Sequence, residues 1–85
     1  MFRNSDNKSC MLTTCKEGLK VKIIEIDAGK GAKINLMNLG LNIGNEITIA
    51  RKSHLHGPVV VMHNGTEIAI GFGLAEKILV EGLPS

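Results

Sequence analysis

Cys10, Cys15, His54, His56 and His63 are the side chains of this sequence best suited to holding a transition metal. His54 and His56 flank a single residue in one loop, so both imidazoles can face the same ion, and Cys10 could add a thiolate. These three make a weak candidate site for iron or zinc, the basis of a small metal-sensor reading. A stable site needs three or four ligands and a supporting layer of hydrogen bonds behind them. The H-x-H pair supplies two, and a solvated loop explains it more simply. Cys10 and Cys15 form a lone C-x4-C without the second ligand pair of a structural zinc site. Cys15 falls three residues after Leu12 and three before Gly18, a slot for a small core hydrophobe, whereas Cys10 reads as an exposed thiol in the N-terminal tail. "GFGLA" (71–75) is similar to a fragment of a phosphate loop, but it is too short, opens no long helix and lacks a downstream acidic partner. No Ser-His-Asp set, catalytic carboxylate pair or P-loop can be assembled. The sequence therefore reads as non-enzymatic, with no cofactor.

The scaffold behind these residues is small. Eighty-five residues make one domain, which at this size buries roughly 60–65% of the surface of its open chain. With 44% hydrophobic residues, mostly Ile, Leu and Val, and ten glycines, it reads as a turn-rich β domain with a thin aliphatic core. The net charge of +2 is spread along the chain, and Trp and Tyr are missing. Both facts argue against nucleic acid, which calls for a basic footprint or stacking aromatics. Residues 1–10 lack the apolar segment of a signal peptide, and no apolar run approaches the ~20 residues of a membrane span. A cytoplasmic location is expected, in which the two cysteines are thiols.

Residues 1–11 are expected to be a disordered tail, 12–81 the folded domain, and 82–85 a fraying end. "LKVKIIEI" (19–26) alternates as a half-buried strand, then changes parity at Ile23–Ile24, which predicts a bulge there. In "AKINLMNLG", Ala32, Leu36 and Leu39 share one helical stripe, and Gly40 is placed to end the helix with Leu41 packed back on Leu36. Leu36, Leu39 and Leu41 are thus expected in the core. "EITIARK" (46–52) puts Ile47 and Ile49 inward, and Asn64-Gly65 predicts a type I′ hairpin pairing His63 with Thr66, Val61 with Ile68 and Val59 with Ile70. "KILV" (77–80) closes the set. About five short strands and one short helix suggest a small closed or half-closed all-β barrel. Ile34, Met37 and Ile43 fall off the buried stripe, and Phe72 and Leu74 lie in the turn before the last strand. If three or more of these are exposed, they form a surface for a partner.

The order of these segments resembles the FeoA family, small cytoplasmic accessory proteins of bacterial ferrous iron transport. The resemblance spans residues 12–80 and rests on "LTTCKEG", "LMNLGLNIG", "GPVVV", "GTEIAI" and "AEKILV". It implies an SH3-like β-barrel without catalytic activity that docks on the cytoplasmic side of the FeoB ferrous iron permease, with its GTP-binding domain. The membrane would be met only through that partner, and weak self-association is a further expectation. Met37, Leu41, Ile43, Phe72 and Leu74 are the candidate contact residues. The sequence departs from the family pattern at Ile43, where proline is usual, and at Asn35 and Gly71, where arginines are common. The same barrel occurs as the C-terminal domain of iron-dependent repressors, but this chain has no helix-turn-helix beside it.

Overall fold

The computed structural model describes residues 9–53 and 55–83. The chain forms β1 (Ser9–Met11), a 3₁₀ turn (Leu12–Thr14), β2 (Lys20–Ile26), α1 (Lys30–Asn38) and β3 (Glu46–Lys52). It continues through β4 (Val59–His63), β5 (Thr66–Ile70), a one-turn α2 (Phe72–Ala75) and β6 (Ile78–Gly82). All six strands belong to one antiparallel sheet in the order β1-β6-β2-β3-β4-β5. Among the described residues no helix is long and apolar enough to cross a membrane.

β2 is the strand on which the sheet turns. It pairs with β3 on one edge and β6 on the other, and its register against β6 shifts between Ile23 and Glu25. Ile24 is the extra residue. By absorbing one position it resets the parity, so that Val21, Ile23 and Ile26 all face the core while Glu25 stays in water. The bulge is where the sequence places it, although Ile24 itself is only half-buried rather than part of the core. A second shift, between Ile49 and Arg51, makes Ala50 the extra residue of β3 and brings Lys52 opposite Val59.

The β4–β5 hairpin turns on Asn64 and Gly65, whose φ angles are 52° and 80°. Both are left-handed, as a type I′ turn requires, and its twist matches that of the flanking strands. The register is His63 with Thr66, Val61 with Ile68 and Val59 with Ile70, which lays four aliphatic side chains on the inner face. Every buried side chain among the described residues is apolar. On the outer face, Arg51 of β3 reaches across β4 to Glu67 of β5 in a two-pronged ion pair of 2.9 and 3.2 Å.

Three expectations from the sequence are corrected. The sheet has six strands rather than five, because Ser9–Met11 leave the supposed tail and pair with Glu81, Val80 and Leu79 along the free edge of β6. Three residues show no readable alternation, and the backbone ladder alone recruits them. At the other end Gly82 belongs to β6, and the Leu83 amide donates to the Lys20 carbonyl at 3.1 Å. The glycine-rich segment before β6 is a turn of helix rather than a plain loop.

Gly65 admits a direct test. A valine there must hold a β-branched side chain in a left-handed backbone, which costs about 1–3 kcal/mol. Gly65→Val should therefore lower Tm by roughly 4–8 °C for each kcal/mol lost, read by thermal unfolding. An unchanged Tm would refute the turn.

Candidate functional site

α1 is poorly supported by its own sequence. Its N-cap, Gly29, offers no side-chain oxygen, and its first turn has no acidic residue to complement the helix dipole. Lys30 and Lys33 sit there instead, the wrong charge for that end. What fixes the helix is its C-terminus. Gly40 is left-handed (φ 93°), its amide donates to the Met37 carbonyl at 2.9 Å, and the Leu41 amide donates to the Leu36 carbonyl at 2.9 Å. This pair of bonds is a Schellman motif, and its apolar contact joins the two sealed side chains Leu36 and Leu41.

Leu36 is the single buried side chain of α1. Ile34 and Met37, one turn apart, are 55% and 58% exposed, and Leu39 at the helix end is 39% exposed. The core expected for Leu39 is thus corrected: it is the C-cap residue, where the backbone leaves the helical path and its side chain leaves the stripe.

Ile43, 51% exposed, follows in a tight turn. The Asn45 amide donates to the Asn42 carbonyl (3.1 Å), and Gly44 takes φ 96°, giving a type II turn with Ile43 at its leading corner. Side chains brace it. Asn42 Oδ1 accepts from the Ile43 amide at 2.8 Å, and Asn45 Oδ1 accepts from the Asn42 amide at 2.7 Å. The turn is also stitched to β2, where the Gly44 amide donates to Ile23 (2.7 Å) and the Ile23 amide donates to Asn45 (2.9 Å). Ile43 is therefore held outward on a rigid mount.

The other candidates divide differently. Leu41 is 1% exposed and cannot make a surface contact; its role is the helix lock. Leu74 is half-buried against the core. Phe72 is half-buried too, with the His56 ring at 4.6 Å between centroids. It borders a shallow cleft of 610 Å³ lined also by Thr13, Lys16, Glu17, Lys52 and Leu55. Lys52 organises the edge of this cleft: its amide donates to Glu17 Oε2 (2.9 Å) and its Nζ to the Cys15 carbonyl (2.7 Å). Nothing in the spacing of these residues signals that meeting, which joins positions 35 and 37 residues apart in the chain.

The described residues lend the metal reading no support. Among the described residues no three His, Cys, Asp or Glu side chains converge as ligands. His56 leans on Phe72, His63 Nδ1 lies 3.2 Å from the Glu46 carbonyl, and His54 is outside the described residues. Cys10 is not a tail thiol either. It is half-buried on β1, with its Sγ 3.4 Å from that of the buried Cys15. Burial foremost, and the contact with Cys10 after it, push the Cys15 thiol up to about 12.

The model of the FeoA domain family matches residues 10–82. The chain belongs to the FeoA family. A relative from Methanocaldococcus jannaschii, named "Putative Fe(2+) transport protein A", is 46% identical over 70 residues, covering 82% of this chain and 83% of that one. The crystal structure of an iron uptake regulatory protein, itself a FeoA, superposes with a TM-score of 0.79 at 29% identity, covering 89% of this chain and 99% of that one. The six-stranded sheet is accordingly an SH3-like FeoA fold. A manganese-dependent transcriptional repressor shares the fold alone, with a TM-score of 0.82 at 18% identity over 91% of this chain and 43% of its own length.

The helix lock can be tested by two alanines. At Gly40 the left-handed backbone makes Gly40→Ala cost about 1–2 kcal/mol. At Gly31, inside the helix with open space around its Cα, Gly31→Ala should stabilise by about 0.5–1 kcal/mol. Urea unfolding of both variants reads the opposite signs.

Proposed function

We propose that this chain is a non-catalytic accessory module of ferrous iron uptake. It acts in the cytoplasm by docking on the GTP-binding region of a FeoB-type permease. The observation that carries this reading is the apolar surface of α1 and its following turn, where Ile34, Met37, Leu39 and Ile43 all stand in solvent. A 9.1 kDa domain that leaves four large aliphatic side chains exposed within ten residues of chain has a surface suited to a protein partner. Met37 is unbranched and adapts to an uneven groove, while Ile43 is a fixed anchor on its braced turn. The family's association with Fe(2+) transport supports the choice of partner.

The test is a binding titration of the full chain against the permease's cytoplasmic region. Met37→Glu and Ile43→Glu should each weaken binding at least about 30-fold, the scale of a central contact residue. Being exposed, both should keep Tm close to the parent, since surface substitutions stay within about 0.5 kcal/mol. Binding unchanged in both variants would remove the surface from the proposal. Unfolding of both would show that these side chains support the core instead.

A further inference from the structure

The two cysteines are brought together by elements that do not depend on sulfur chemistry. β1 is held by its ladder to β6, where Cys10 faces Val80. The chain then reverses through the 3₁₀ turn, closed by Thr14 Oγ1 donating to the Met11 carbonyl at 2.8 Å and the Cys15 amide donating to the Leu12 carbonyl at 3.3 Å. Lys52 Nζ fastens the far side through the Cys15 carbonyl. Both backbones are thereby fixed with the sulfurs 3.4 Å apart, so an S–S bond needs an approach of only roughly 1.4 Å. The two sulfurs differ in access: Cys10 is partly open to solvent, and Cys15 is 2% exposed.

We propose that Cys10 and Cys15 form a reversible dithiol–disulfide site that is oxidised by a low-molecular-weight disulfide. Cys10, the reachable sulfur, attacks first: its S–H bond and the S–S bond of the oxidant break, a mixed disulfide forms on Cys10, and one small thiol leaves with the proton. Cys15 then attacks the Cys10 sulfur. Its S–H bond breaks, the protein disulfide forms, and the second small thiol leaves with that proton. Two protein thiols are oxidised and one small disulfide is reduced to two thiols. The same steps in reverse, driven by excess small thiol, restore the dithiol. Burial keeps Cys15 away from solvent, so Cys10 is the sole point of entry, and Cys15 gives up its proton only to the small thiolate that its attack expels. The closed bond would tie the edge strand β1 to the segment carrying Thr13 and Lys16, one wall of the cleft. This site stands whether or not α1 docks on a permease.

The experiment equilibrates the full reduced chain with oxidised and reduced glutathione at set ratios, quenches with acid, and counts thiols by alkylation and intact mass. In native buffer the intramolecular disulfide should be the main oxidised species. Its equilibrium constant should exceed, at least about tenfold, that of the same chain in guanidinium, where the fold no longer holds the sulfurs together. Cys15→Ala should stop at glutathione on Cys10, and Cys10→Ala should leave Cys15 unreacted until the chain is unfolded. The proposal is overturned by a native wild-type chain that stays dithiol or stops at the mixed disulfide. Equal constants in native and denaturing buffer overturn it too.

Discussion

The doubly paired strand β2 is the constraint on which the rest of this structure depends. Its edges carry β3 on one side and β6 on the other, so its single extra residue, Ile24, is felt by both halves of the sheet. Without that residue the parity of the strand would send Ile26 outward, and the aliphatic core would lose one of its walls. β2 also supports the exposed apolar corner, because the Ile23 backbone both donates to and accepts from the turn that carries Ile43. Core and periphery thus share one fixed point.

The strands supply most of the aliphatic core, and α1 adds a single side chain to it. The helix touches that core through Leu36 and is held there by the bond pattern around Gly40, not by its charges or its N-cap. This division explains how an 85-residue chain can leave aliphatic side chains in water and still fold. The helix gives the core one side chain, Leu36, so its remaining large apolar side chains are left on the solvent side.

The sequence displayed the parts whose information is local. Asn64-Gly65 gave the turn type and hence the register of β4 and β5, because two residues determine the geometry of a short hairpin. Gly40 and Leu41 signalled the helix end, and the parity change at Ile23–Ile24 signalled the bulge. What stayed hidden depends on partners distant in the chain. β1 exists because β6 has an unpaired edge, and no pattern in Ser9–Met11 advertises that. Leu39 lies one position beyond the last helical residue, where the periodic stripe has no authority. Of the candidate contact residues, Met37 and Ile43 are exposed, Leu41 is sealed, and Phe72 and Leu74 are half-covered. The nearness of Cys10 and Cys15 follows from a strand and a turn that five residues of sequence do not reveal.

An all-apolar interior sets how the fold meets acid and alkali. Among the described residues no carboxylate or imidazole is buried, so acidification has nothing inside to protonate. The Arg51 guanidinium holds the Glu67 carboxyl below its usual range, and the stability from that pair is lost as pH falls through it. The pair lies on the exposed outer face and is screened by solvent, so little is lost. The opposite end of the scale is different. The Cys15 thiol rises from its ordinary 9.0 to about 12 in the folded chain, so its contribution is whole below 9.0 and drains away as the medium becomes more alkaline. The same sulfur that sits sheltered beside Cys10 thus favours the fold at neutral pH and withdraws that support in base.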